Sequence, residues 1–272
     1  MKMVLFPYPG GKFQWMGELL SVLPQHDHYV SVFGGSGGDI FRKQRSPRET
    51  YNDLDPHVCN VFRVLQSENL WHNLAQRICV PHCRNIYDGA LRILQQPIID
   101  PVRSAAAFLI AAYQGKCTAH PCLKRPEAWW TYIENSHIRH WMTLPAVLPL
   151  IRDRFQQVQV EQNSWFACIR QHDSPTTLFF VDPPFFPGTV KTFYPIEMSV
   201  AEHRALLAIL KRVEGFVILC NYNNELYRRE LGNWKCIPRP MTGHINPNSR
   251  PTNKIGYTWM NFDPTTTPLW TP

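Results

Sequence analysis

Several things are missing from this 272-residue chain. No apolar run approaches the ~20 residues of a membrane-crossing helix, so no membrane role is expected. The start, Met1-Lys2-Met3-Val4-Leu5-Phe6-Pro7, has too short an apolar core for a secretory leader. A soluble, cytoplasmic protein is the expectation. Tightly paired cysteines are also missing. Cys79 and Cys83 stand as Cys-x3-Cys and Cys117 and Cys122 as Cys-x4-Cys, near His82 and His120, which is not common zinc spacing. The 8 cysteines therefore read as thiols of a reducing compartment, and no metal is expected. A triphosphate loop is excluded because Phe6 and Phe13 flank Gly11-Lys12 where Gly and Ser or Thr are needed. The dinucleotide fingerprint is incomplete, since Ile40 follows Gly35-x-Gly37 where a third small residue belongs. The His-x-Glu and Pro-Cys-x-x-Cys set of zinc deaminases is missing. Repeats and low-complexity tracts are missing too.

Acidic residues are in deficit. There are 21 Asp and Glu against 28 Lys and Arg, a net charge of +7 with pI near 9.0. Nucleic acid is the commonest partner for such a balance, although a merely basic protein has the same one. Hydrophobic residues make up 44% and charged residues 18%, enough for a real core. The 9 Trp, 10 Tyr and 15 Phe suit base stacking and suit a core equally.

The most telling stretch is Leu178-Phe179-Phe180-Val181-Asp182-Pro183-Pro184-Phe185-Phe186. It opens as a buried strand. It must stop at the two prolines, which have no N–H for a sheet ladder. Open α/β sheets place ligands at such carboxyl ends. There the chain offers a carboxylate, rigid carbonyls and an aromatic face. These suit a flat heterocycle with an exocyclic amine. Asp182 and the Pro183 carbonyl can each accept one amine hydrogen, and Phe185 can stack on the ring. With both hydrogens held, the nitrogen lone pair turns out of conjugation and becomes nucleophilic. The plainer alternative is a strand ending in a turn capped by Asp182.

Upstream, Tyr8-Pro9-Gly10-Gly11-Lys12 lets the backbone approach a ligand and puts a cation before a helix over about 13–23. A strand at 28–33 runs into Gly34-Gly35-Ser36-Gly37-Gly38 and then a helix, a turn over which a cofactor can lie. Glu49 to Asn52 reads as a second strand, with Asp53 placed to accept hydrogen bonds from ribose hydroxyls. Helices are expected over 57–78 and 103–116, with short pieces between and after them broken by Pro97, Pro101, Pro121, Pro126, Pro145 and Pro149. Residues about 60–150 read as a helical insertion. Its Gln114, Lys116, Lys124, Arg125 and Arg139, interleaved with Trp129 and Trp130, suit phosphate and base-edge contacts. A solvated face over an aromatic mini-core is the alternative. Further strands are expected at 158–161, 215–221 and 254–262, a candidate lid at 186–195, and a capped helix from Ser199 through Val213.

The ordered motifs Tyr-Pro-Gly-Gly-Lys, Phe-Gly-Gly-Ser-Gly, Tyr-Asn-Asp-Leu-Asp-Pro and Val-Asp-Pro-Pro-Phe resemble those of the D12 class of DNA adenine-N6 methyltransferases. The resemblance covers nearly the whole chain. It implies an α/β, Rossmann-like S-adenosyl-L-methionine-dependent methyltransferase sheet with a helical target-recognition insertion. Residues 1–60 and 151–272 would be catalytic and 61–150 would read DNA. It implies cofactor contacts at Tyr8, Lys12, Phe33, Gly34, Gly35, Ser36, Gly37, Asp53, Ser164, Trp165 and Asp182. Asp182, Pro183, Pro184 and Phe185 would hold an adenine flipped from duplex DNA. Such enzymes are common in bacteria and their phages, some beside a restriction enzyme, as monomers or weak dimers. Two positions depart from the family pattern. Ser31-Val32 stand where Glu-Pro is usual, and Ser164 stands where an Asp is usual before an aromatic. N4 of cytosine, an RNA substrate and an inactive DNA-binding relative remain alternatives.

Overall fold

The computed structural model describes residues 5–9, 16–116, 119–131, 136–189, 194–243 and 252–270, without the side chains of 239–243 and 252–254. Lys12, Gly10, Gly11 and Cys117 lie outside the described residues, as does part of the candidate lid.

Seven strands form one sheet: β1 (His28–Ser31), β2 (Arg48–Asn52), β3 (Gln159–Glu161), β4 (Thr177–Val181), β5 (Phe216–Tyr222), β6 (Lys235–Gly243) and β7 (Thr252–Met260). Their order is β3-β2-β1-β4-β5-β7-β6. The first five are parallel, and β7 runs antiparallel between β5 and β6. The chain builds outward from β1 to β3, then returns to β4 on the other side of β1. That reversal makes a switch point at the carboxyl ends of β1 and β4, where such sheets bind ligands. Every residue of β1 and β4 is buried, as expected of parallel strands covered on both faces.

Ten α-helices are described: α1 (Met16–Leu20), α2 (Gly38–Arg42), α3 (Pro56–Gln66), α4 (Trp71–Ile78), α5 (Arg84–Leu94), α6 (Pro101–Gln114), α7 (Ser136–Phe155), α8 (Trp165–His172), α9 (Val200–Leu210) and α10 (Glu225–Glu230). Sequence chemistry sets several starts. Asp55 and Asp100 accept the first free N–H groups of α3 and α6, each followed by a proline whose missing N–H costs nothing there. Ser199 and Glu202 close a reciprocal capping box on α9.

One core joins the sheet face of Tyr29, Tyr51, Leu178 and Phe180 to α3, α6 and α7. The helical segment therefore packs on the sheet and shares its core. α6 is its axis, with twelve of fourteen residues buried. The opposite sheet face packs Val30, Phe179 and Val217 under α8 and α9.

Three expectations need correction. The helix expected over 57–78 is two, parted between Ser67 and Leu70. Pro145 and Pro149 lie inside α7 and do not break it. Four residues apart, they leave the carbonyls of Trp141 and Pro145 without a helical donor on one flank of the helix, and Pro149 is exposed to solvent. β6 was not foreseen, because Pro238 and Pro240 argue against a strand. It is an edge strand, where a missing N–H is tolerated.

Candidate active site

A pocket of about 100 Å³, partly open to solvent, lies at the switch point, where sheets of this order bind ligands. Its lining includes Tyr8, Phe33, Gly35, Asp53, Trp165 and Pro184, all expected from sequence. It also includes Leu54, Asp55, Asn163, Glu197 and Glu202, which were not.

Backbone constraints shape the floor. Gly34 N donates to Asn52 O at 2.7 Å, and Tyr51 Oη donates to Gly35 O at 2.5 Å. A Cβ on Gly34 would lie 2.1 Å from the Tyr51 ring, so no other residue fits. Gly35 and Gly37 have φ of +50° and +67°, in the left-handed region that favours glycine. Asn52 ties the ends of β1, β2 and the strand-to-helix turn after β3. Its Nδ2 donates to Val32 O and Asn163 O, and its Oδ1 accepts from Asn163 N.

Asp53 stands over this floor. Its Oδ2 accepts from Gly35 N and its Oδ1 from Asp55 N, both at 2.8 Å. A carboxylate has about four acceptor sites, so capacity remains for two hydroxyl donors. Burial raises its pKa to about 6, against the lowering effect of the two backbone donors. Nearby, His120 is fully buried and packs edge-on to Tyr8, with ring centroids 5.5 Å apart. Its Nδ1 accepts from Cys122 N, which puts the hydrogen on Nε2, 3.3 Å from Asp55 Oδ2. The contact geometry falls short of a good hydrogen bond. Burial takes the His120 pKa down to about 4, outweighing the Asp55 charge, so the ring is neutral near pH 7.

At the end of β4, Asp182 is half-buried, Pro183 buried, and Pro184 lines the cavity. Asp182 itself stands outside the lining. Phe185 is buried, its ring centroid 4.8 Å from Tyr222 and 6.4 Å from Tyr194. Tyr194 spans the two motifs, its Oη donating to Pro9 O at 2.8 Å and its ring 5.7 Å from Tyr8. Burial first, then the charges of Asp53, Tyr194 and Asp55, raise the Tyr8 pKa well above its ordinary value.

Other expected contacts fall elsewhere. Gly34, Ser36 and Gly37 shape the turn without lining the cavity. Ser164 is exposed, and its Oγ accepts from Ala167 N as the N-cap of α8, while Trp165 behind it does line the cavity. Two expected DNA contacts point inward. Gln114 is fully buried, bonded to Cys83 N and Pro81 O. Lys124 is buried, its Nζ donating to the carbonyls of Ala111, Ala112 and Gly115 at the end of α6. A cation there satisfies otherwise unpaired carbonyls. Lys116, Arg125 and Arg139 are exposed. Three side chains of metal-ligand type, Glu161, Cys168 and His172, come together.

The donor set suits S-adenosyl-L-methionine. Apolar Val32, Phe33, Leu54 and Trp165 offer faces for a purine, Asp53 offers acceptors for a ribose diol, and Glu197 and Glu202 offer negative charge to an ammonium and a sulfonium. Strand order and the switch-point pocket make a Rossmann-like α/β fold consistent with that of methyltransferases. Residues 8–84 match the family model described as D12 class N6 adenine-specific DNA methyltransferase. Over that stretch, under a third of its length, the chain is similar to that family, whose members use S-adenosyl-L-methionine to methylate adenine in DNA. No curated protein matches the chain. No helix among the described residues is long and apolar enough to cross a membrane.

Proposed function

We propose that the chain methylates N6 of adenine within a short sequence of duplex DNA, acting on a base extruded from the stack. The observation that carries this reading is Pro184 of the Asp-Pro-Pro-Phe motif lining the same cavity as Asp53 and Gly35. The motif proposed to hold the amine thus borders, through Pro184, the chamber proposed to hold the cofactor.

Asp53, Tyr8, Phe33, Gly35 and Trp165 hold the cofactor in this reading, with Leu54, Asn163 and Glu197 added from the cavity. When bound, S-adenosyl-L-methionine supplies a methyl group on a sulfonium, already a good leaving group. Asp182 and the Pro183 carbonyl accept the two amine hydrogens and direct the lone pair. Phe185 stacks on the base, which costs a few kcal/mol to extrude. Positioning supplies much of the rate, so no strong base is required. One proton leaves to Asp182 or to water. Residues 1–60 and 151–272 do this chemistry, and 61–150 read the DNA through exposed Lys116, Arg125 and Arg139. The setting is the cytoplasm of a bacterial or phage-infected cell, alone or beside a restriction enzyme.

Incubation with labelled cofactor and mixed duplex DNA, then digestion and nucleoside identification, tests this. N6-methyl-2′-deoxyadenosine in one sequence context is expected. N4-methylcytosine or labelled RNA would move the chain to a different substrate, and cofactor binding without transfer would make it an inactive relative.

A further inference from the structure

Three polar side chains lie deep in the second core, where the proposed chemistry has no use for them. Asn221, on β5, donates from Nδ2 to Tyr227 Oη at 3.1 Å. Tyr227, on α10, meets His203 Nδ1 at 2.8 Å. With the tyrosine hydroxyl donating to Nδ1, His203 carries its hydrogen on Nε2 and turns it toward the Phe185 backbone. His203 and Tyr227 are both fully buried, among Met198, Leu206 and Trp259. The Phe186 ring packs on both, with centroids 5.3 Å from His203 and 6.4 Å from Tyr227. Burial brings the His203 pKa down to about 4, while the Phe185 backbone facing the ring works the other way. Nε2 has no completed hydrogen bond among the described residues.

A buried polar chain of this kind contributes little to stability over an apolar core, but it fixes geometry. What it touches is the end of the Asp-Pro-Pro-Phe motif. We infer that Asn221, Tyr227 and His203 are positioning residues: a buried relay that sets the backbone of Phe185 and Phe186, and through it the stance of Asp182 toward the target amine. The inference rests on the functional reading above.

The test uses the full chain with Tyr227→Phe, His203→Phe and His203→Gln, following kcat, KM for cofactor and DNA, and the thermal midpoint. Loss of residues that orient metal ligands costs ~10–100-fold in activity, and a comparable effect is expected for residues that orient Asp182. The two Phe variants should lose that much kcat, with both KM values within about threefold and the midpoint nearly unchanged. His203→Gln, which restores an N–H near the place of Nε2, should recover part of the loss. Wild-type kcat in both Phe variants would overturn the relay. So would a parallel fall of kcat, binding and midpoint, the mark of a merely structural role. If the wild-type chain methylates a different nucleobase amine, the same kcat ratios on that substrate still decide the relay. If it methylates none, relay and functional reading fall together.

Discussion

The two ends of β2 hold acids, one buried and one half-buried, with opposite surroundings. Glu49, near the amino end, is gripped by side-chain cations: Lys43 Nζ at 2.5 Å and Arg154 at 2.6 and 2.9 Å. Burial raises its pKa, but the Arg154 hydrogen bonds and the Lys43 charge outweigh it and leave the pKa below the ordinary value. Asp53, just past the carboxyl end, meets only backbone N–H groups and is pushed up to about 6. Glu49 is saturated and faces the core. Asp53 keeps spare acceptor sites and faces a cavity. An acid closed by cations holds the fold together, whereas one held by backbone alone is open to a ligand.

The sharpest way to break this contrast is substitution at both ends. Glu49→Ala strands two buried cations and should cost ~3–5 kcal/mol of unfolding free energy, while the folded fraction keeps its cofactor affinity. Denaturant titration and calorimetry read the two quantities separately. Asp53→Ala should do the reverse. Cofactor affinity should fall about 100-fold, as expected when two hydrogen bonds to a charged group, ~1.5–3 kcal/mol each, are lost. Its stability should change far less than that of the Glu49 variant. Equal stability losses at the two positions would erase the distinction.

Acidity sharpens it further. Cofactor affinity should fall as pH drops through about 6, the pKa of Asp53, by about tenfold at one pH unit lower. Stability of the free protein follows the opposite sign for this group. Its raised pKa means the folded state holds the proton more tightly, so its contribution is lost as pH rises from about 4 to about 6. Glu49, with its lowered pKa, contributes stability above the ordinary Glu pKa that is lost on acidification below it. Isothermal titration across pH 4–8 and thermal melts carried down to about pH 2 distinguish these signs. The smallest expected effect is at exposed Lys116. Lys116→Ala should weaken DNA binding a few-fold and lower the salt slope by ~1, while Lys124→Ala should lower the thermal midpoint instead.

The same contrast explains what was legible in the sequence. Strand β4 and its stop were plain, because an apolar run meeting two prolines has few alternatives. Asp53 was legible from its place after a short strand behind the glycine turn. Glu49 read only as strand, since Arg154 comes from more than a hundred residues away and no local pattern announces it. The helix from His57 was legible from its apolar spacing, but the second face of Asp55, toward the cavity and His120, depends on a residue in the helical segment. Charge patterning misled at Lys124 and Gln114, because a cation that caps a buried helix end looks in sequence like one that meets phosphate. Ser164 was expected to touch cofactor, and its hydroxyl caps α8 instead. The relay behind Phe185 was invisible, since His203, Asn221 and Tyr227 sit at ordinary helix and strand positions.

Single-turnover methyl transfer by Asp182→Ala, with cofactor and DNA pre-bound at saturation, tests the central claim most directly. The account predicts near wild-type occupancy of both ligands and a rate reduced by ~10²–10³ or more, as for removal of a group that acts at the reacting centre. A variant that transfers its methyl group at the wild-type rate would contradict it.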